Sequence, residues 1–544
     1  MNGLMRFLAT VAIVYCGSQL ALAADEDPGD VTETHVMIPM RDGVKLSAYI
    51  YTPRGAGPWP VLLEQRYANA NDPNTKKSFA KLASGGYVTV LANFRGSQQS
   101  EGVWRGYRHL AWGEQQDGYD LVEWLAAQPW STGKIGTFGS SQAGFAQNFL
   151  AVTRPPHLTA QYMIDTGLSL YHEGYRIGGI TRPERFKSLD KVARVPEHNR
   201  ELLAEWFRHP TYDDYWAEED CTRFFDKMNV PCFTVGSWYD FMCVGSVDSY
   251  IGRQHKGGPQ SIGTQQLLIG PWLHGRFKET NKSNEMEYPE NAKFAMDAHM
   301  LRWFDHYLKG IDNGVTREPT VRYYVMGALG EAGAPGNEWR TATDWPIASR
   351  ATPYFLHPDQ NLNLRSPDSE GAIVTWKADP HHPAPIPTIA FPGAKDAREF
   401  EAHADVRTFT TPVLTEPVEW TGKVTDFIVR ITDVYPDGRS ILIMDYVRRA
   451  RYRDGYEREV FMKPGEVYKV AFDVGWLSQV FNKGHKIRVT VASTGAPFYE
   501  PNPNTGEPLT INFPGNAVVA TNTLHVNKKH SSRILAPVIP TPSK

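Results

Sequence analysis

The sequence predicts an α/β chain: a largely parallel sheet layered by helices, a helical insertion within it, and an antiparallel β-sandwich behind it. Three observations carry this. Apolar runs alternate with helical segments through the first half of the chain, the pattern of strand–helix–strand units. A stretch rich in charge and aromatics, 165–229, interrupts that alternation. Beyond about residue 315 the helices stop, and short alternating strands follow one another.

The elements can be justified in order. THVMIPMRDGVKLSAYIYTP reads as a hairpin turned at Asp42-Gly43, a dipeptide suited to tight turns. PVLLEQ (60–65), the helical KKSFAKLASGG and YVTVLANF (87–94) follow. In DGYDLVEWLAAQ, Leu121, Val122 and Leu125 share one helical face. KIGTF then leads into GTFGSSQAGF (136–145), and the helix after it carries Phe145, Phe149 and Leu150. Two later strands, PCFTVGSWYD and QQLLIGPWLH, end at Asp240 and His274. NAKFAMDAHMLRWFDHYLKG closes the unit, with Phe294, Leu301, Phe304 and Leu308 in helical register and Gly310 as its stop. In HKIRVTVAS, Ile487, Val489 and Val491 face one way and Lys486, Arg488 and Thr490 the other, as in a sandwich strand. The expected divisions are 30–164 with 230–312 for the α/β unit, 165–229 for a helical cap, and 315–544 for the sandwich.

At 544 residues the chain exceeds one ordinary core. The net charge of -3, with both signs interspersed, offers nothing to nucleic acid or to an anionic membrane surface. Residues 1–23 read as a secretory signal peptide: Arg6, a short apolar run, and Ala21 to Ala23 before the cut. That predicts an exported protein, periplasmic or secreted, with no membrane span after cleavage. Cys221, Cys232 and Cys243 then remain, which allows one disulfide with one free thiol or three buried thiols. No Cys/His spacing resembles a metal site, and His381-His382 reads as loop.

GTFGSSQAGF nearly spells G-x-S-x-G, the strained strand-to-helix turn that presents a nucleophilic serine. Its second glycine arrives one residue late, and two serines compete. The turn needs small residues two before and two after the nucleophile. Ser141 has Gly139 and Ala143 there, whereas Ser140 would have Phe138 and Gln142, so Ser141 is the candidate. An attacking hydroxyl needs a base, and the base an orienting acid. Asp240 and His274 each follow a strand, and the order Ser…Asp…His is that of an α/β-hydrolase. An oxyanion would be held by the Gln142 N–H and, in the absence of a glycine-rich loop, by the Tyr67 hydroxyl after PVLLEQ. Arg95-Gly96-Ser97 and Trp238 read as structural.

These residues resemble the family of cocaine esterase, glutaryl-cephalosporin acylases, α-amino-acid ester hydrolases and X-prolyl dipeptidyl-peptidases. The family's elbow, G-x-S-x-x-G, stands here as GSSQAG, and its tyrosine donor matches Tyr67, although Arg66 replaces the usual proline. DGYDLVEWLAAQPWSTGKIG, WYD, GPW-x-H and RWFDHYLKG-x-DNG are close to its signature stretches, and DVYPDGRS with F-x-x-GH-x-IR-V marks its C-terminal jelly roll. The resemblance spans nearly all of the mature chain. It implies a cofactor-free serine hydrolase that cleaves an ester or amide of a small acyl group, or a short peptide, with Ser141, Asp240 and His274 as triad. It leaves the oligomeric state open. X-prolyl dipeptidyl-peptidase activity is the alternative, and a carbohydrate-binding jelly roll on a silent scaffold is a reading of another class. Two departures bear on the substrate. Where relatives that grip an α-ammonium carry acids after the catalytic aspartate, this chain has Met242 and Cys243, which leaves Glu173, Asp213 or Asp214 as substitutes. EWTGKVTDFIVRITD also lacks about a strand's worth of residues, which predicts an abbreviated sandwich.

Overall fold

The computed structural model describes residues 31–182, 192–275, 281–386, 393–425, 429–507 and 515–540. The expected signal peptide lies outside them. Strands β1 (Val31–Pro39) and β2 (Lys45–Pro53) form the expected hairpin, with Gly43 at φ 83 in its turn. β3 (Trp59–Arg66), β4 (Val88–Asn93), β5 (Ser131–Ser140), β6 (Leu158–Ile164), β7 (Cys232–Ser237) and β8 (Gln266–Gly270) pair in parallel in the order β4-β3-β5-β6-β7-β8. These strands are buried almost throughout, as parallel strands covered on both faces must be. This is the α/β-hydrolase sheet.

Helices cover both faces. α1 (Pro73–Ser84) begins where the Asp72 side chain accepts the Thr75 N–H, a cap that satisfies one of the helix's orphan donors. α2 (Asp117–Ala126) buries Leu121, Val122 and Leu125, and α3 (Gln142–Thr153) buries nearly its whole length. The closing helix runs Met296–Lys309 and stops at left-handed Gly310. Its Phe304 ring lies so close over β5 that a Cβ at Gly136 would stand 2.6 Å from it. Arg95 binds both Asp42 and Asp117, which fixes the loop after β4 as the sequence suggests.

Between β6 and β7, in the region read as a cap, stand a π-helical turn (Leu170–Tyr175), an α-helix (Pro196–Arg208) and shorter helices. Beyond residue 315 two further strands join the hydrolase sheet. Val321–Val325 adds to β8 in parallel, and Glu338–Ala342 adds to it antiparallel, so the hydrolase sheet reaches ten strands. Val321–Val325, between its neighbours, is buried almost throughout, whereas Glu338–Ala342 forms the sheet's more exposed edge.

The sandwich proper begins at Arg350. One five-stranded sheet includes Arg350–Leu356, Arg533–Val538, Val418–Thr425 and Asp473–Phe481, and a four-stranded sheet holds Val406–Thr410, Lys486–Ala492, Val429–Val434 and Ser440–Tyr446. Either side of the shortened stretch, Val418–Thr425 belongs to the first sheet and Val429–Val434 to the second; 426–428 lie outside the described residues. One apolar cluster runs from Trp238, Val247 and Ile269 of the hydrolase unit to Trp420, Trp476 and Val489 of the sandwich. The two units therefore share a core, and the sandwich is packed against the ends of β7 and β8.

A polar clamp reinforces that junction. Fully buried His485 stands 2.7 Å from Asp433 in the sandwich and 2.8 Å from Glu331, in the loop joining the last two strands of the hydrolase sheet. The two carboxylates hold the imidazole above its usual pKa, against the opposing effect of burial. The charged form is thus favoured in the fold, and its stabilisation is full below about pH 6.5 and is lost as pH rises through the raised folded value. His485→Gln is expected to cost about 2–3 kcal/mol at pH 5.5, with the penalty shrinking toward pH 9. Urea unfolding of both proteins across that range measures it.

Candidate active site

β5 ends at Ser140, and Ser141 turns the chain into α3 at φ 58, ψ -113. Such a backbone is strained for a residue with a Cβ and is held from both sides. The Ser141 N–H donates to the Ile164 carbonyl at 3.0 Å, and its own carbonyl accepts from Gly144 and Phe145. The neighbours must be small because strand and helix almost touch. A Cβ on Gly139, which itself sits at φ 129, would come within 2.6 Å of the Ala143 Cβ, and one on Gly144 would meet Thr166 at 2.7 Å. The late glycine is therefore demanded by Thr166 after β6, while Ala143 fits its own position.

β7 and β8 deliver the other two residues at the same edge of the sheet. Asp240 Oδ2 lies 2.8 Å from His274 Nδ1, and Asp240 Oδ1 accepts the Met242 N–H at 2.9 Å. Both side chains are buried, and the carboxylate is wholly so. The Phe241 ring packs on His274 at 5.2 Å. Across the elbow, the Tyr67 N–H donates to Gln142 Oε1 at 3.0 Å, and its carbonyl accepts from Gln98 at 3.2 Å. Phe94 and Trp104 hold the phenol ring edge-on. Tyr67 is thus tied directly to the first residue of α3, whose end supplies unpaired N–H groups. Arg66, where a proline was expected, is buried and pairs with Glu64 at 2.8 Å, so no lone charge is left beneath the turn.

The pocket candidates fare differently. Met242 is fully buried in the aromatic cluster between cap and elbow, a core residue. Glu173 lies on the π-helical turn, where Oε2 accepts the Leu168 and Ser169 N–H groups at 2.5 and 3.0 Å. Burial pushes its pKa up to about 8 despite those donors. Its carboxyl is committed to those backbone donors rather than open to a ligand. Asp213 caps a short cap helix and contacts His209. Cys221, Cys232 and Cys243 are free and buried, which selects the three-thiol reading. Trp238 donates to the Tyr324 carbonyl, a packing role. His382 pairs with Asp379, and His381 meets the Ala517 carbonyl.

Sequence reasoning missed Asp165. It follows β6 as Asp240 follows β7, the one signal that could have found it. It is fully buried at φ 46 and accepts the Gly275 N–H at 2.7 Å. Asp165, Asp240 and His274 each offer an atom within 4.8 Å of the others.

Gly139→Ala is expected to cost about 2 kcal/mol or more from backbone strain and the clash with Ala143, which in a chain this long lowers the melting temperature by about 2 °C or more. Thermal unfolding followed by circular dichroism measures it.

Comparison with known proteins agrees with this architecture. The family model described as X-Pro dipeptidyl-peptidase (S15 family) matches residues 42–200 and 187–276, and that of the X-Pro dipeptidyl-peptidase C-terminal non-catalytic domain matches 313–535. Cocaine esterase of Rhodococcus sp. is 28% identical, over 93% of this chain and 98% of its own. Among solved structures, an α-amino acid ester hydrolase superposes with TM-score 0.80 at 22% identity, covering 98% of this chain and 100% of that one. An aminopeptidase from a Thaumarchaeota archaeon gives TM-score 0.80 at 21% identity, covering 96% and 98%. With both of its parts matched over most of their length and the fold shared, the chain belongs to the S15 family and is a serine hydrolase.

Proposed function

We propose that the chain is an exported esterase or acylase that cleaves a small neutral acyl group from an alcohol or amine through an acyl-enzyme. The observation that carries this is the buried 2.8 Å pair of His274 and Asp240 at the sheet edge where the strained elbow presents Ser141. Ser141 Oγ attacks the carbonyl while His274 Nε2 takes its proton and then passes it to the leaving group. Water deacylates the enzyme by the same route in reverse. Asp240 fixes the imidazole orientation and stabilises the imidazolium, and the Tyr67 hydroxyl with the Gln142 N–H stabilises the oxyanion. Export rests on the N-terminal sequence pattern alone, and no helix among the described residues is long and apolar enough to cross a membrane.

The neutral acyl preference follows from the acids. Met242 and Cys243 carry no charge, burial pushes the Cys243 thiol well up, and the Glu173 carboxyl is held by backbone N–H groups with its pKa pushed up to about 8. A cationic α-amine would lose its hydration there without a compensating anion. X-prolyl dipeptidyl-peptidase activity remains the second reading because the matched family model is described by that activity.

Ser141→Ala is expected to lose about 10⁴-fold or more in kcat/KM on short-chain nitrophenyl esters, and labelling by a fluorophosphonate with it. Full activity in Ser141→Ala would end the triad reading. Faster cleavage of Gly-Pro-nitroanilide than of the esters would replace the esterase reading by the peptidase one. Tyr67→Phe is expected to lower kcat about 10²-fold with KM little changed, as steady-state kinetics on the same esters would measure.

A further inference from the structure

Asp165 has no role in the mechanism above, yet its side chain lies beside the acid and base of the proposed triad. It sits at 0% exposure, at the end of β6, in a left-handed conformation that an aspartate tolerates better than most residues. Its N–H is bound by the Val235 carbonyl of β7. Oδ2 accepts the N–H of Gly275, the residue that follows His274. Among the described residues Oδ1 takes no partner in ordinary hydrogen-bond geometry. The groups that bear on it are the Asp240 carboxylate and the Ser237 hydroxyl.

An oxygen of Asp165 lies within 4.8 Å of one of Asp240, and in a water-poor site two such carboxylates repel each other's charge. They compete for one proton, and the donors around them decide which keeps it. Asp240 receives the Met242 N–H and faces His274 Nδ1, a partner that becomes cationic during turnover. Asp165 receives one backbone N–H. The negative charge therefore settles on Asp240 and the proton on Asp165.

We propose that Asp165 is a positioning residue of the triad: a neutral carboxylic acid that accepts the Gly275 N–H through Oδ2 and donates its proton toward the Asp240 carboxylate through Oδ1. It thereby holds the His274 loop to β6 and fills a free acceptor site of Asp240 without adding a second negative charge beside the imidazole. This rests on the triad reading. Burial and the neighbouring Asp240 act in the same direction, raising the Asp165 pKa well above the carboxylate range. The other titratable group packed on the pair is the Cys243 thiol, from the helix after β7, and it is held protonated. Ser237 at the end of β7 adds a hydroxyl.

The prediction separates a protonated from an ionised Asp165. Asparagine reproduces the protonated acid, since its carbonyl accepts from Gly275 and its amide donates to Asp240. Alanine does neither. Asp165→Ala is expected to lower kcat about tenfold or more with KM within about threefold, and to slow fluorophosphonate labelling of Ser141. Asp165→Asn is expected to recover most of that kcat. It is also expected to leave the acid limb of kcat/KM against pH within about 0.3 unit of wild type, because the charge beside His274 is unchanged. Circular dichroism confirms that both variants fold. An acid limb lowered by about one unit or more in Asp165→Asn would mean that the native aspartate is ionised, which overturns the proposal. So would an Asn variant as impaired as the Ala variant. These two results bear on Asp165 alone when Ser141→Ala is inactive; a fully active Ser141→Ala would instead overturn the triad reading and the Asp165 role together.

Discussion

The close approach of β5 to α3 at Ser141 is the constraint on which the rest of this site depends. A serine at φ 58 stands proud of the sheet edge only if both flanking elements give up their side chains there. Gly139 does so toward Ala143, and Gly144 toward Thr166. Gln142, held in the same turn, reaches across to the Tyr67 N–H. One backbone distortion therefore orients the candidate nucleophile, the first-turn N–H groups of α3 and the loop carrying the phenol. The cost of such strain is on the order of 1–3 kcal/mol. Several buried hydrogen bonds and the apolar length of α3 offset it.

The sandwich and cap act on the site through packing. The apolar cluster that joins the ends of β7 and β8 to Trp420 and Trp476 leaves the Asp240 and His274 loops little room to move. Phe241 packs on His274 and also against a small apolar cluster of Ile177 and Ile180 with Val447 of the sandwich unit. The C-terminal unit thus shapes the wall nearest the base, although its own strands carry no part of the proposed triad. The cap supplies acids such as Glu173, but the fold turns that carboxyl to backbone N–H groups, and burial raises its pKa. An acid in the right region of the chain is not the same as an anion in the pocket.

Much of this is legible in the sequence, for definite reasons. Strands buried on both faces read as continuous apolar runs, so β3 through β8 and the residues that follow them stand out. The choice of Ser141 over Ser140 needs only the sizes of their neighbours. Which sheet Val321–Val325 and Glu338–Ala342 join is not legible in their residues, because strand character does not name the partner strand; the pairing places both on the β8 side of the hydrolase sheet. Residue type cannot tell an apolar wall from an apolar core, so the full burial of Met242 in the aromatic cluster is visible only in the structure. The partners of Glu173 are not legible either, because the Leu168 and Ser169 N–H groups are backbone donors with no sequence signature.

By itself the sequence determined the layered fold, the elbow, and the order of Ser141, Asp240 and His274, since these depend on local pattern: burial period, turn chemistry and residue size. Tertiary structure alone decided what surrounds them. It paired Arg66 with Glu64, kept three thiols apart, set His485 between Asp433 and Glu331, and brought Asp165 beside Asp240 from a strand more than seventy positions away. Those outcomes depend on which distant groups share a water-poor space, and in that space proximity and lost hydration govern where protons and charges reside.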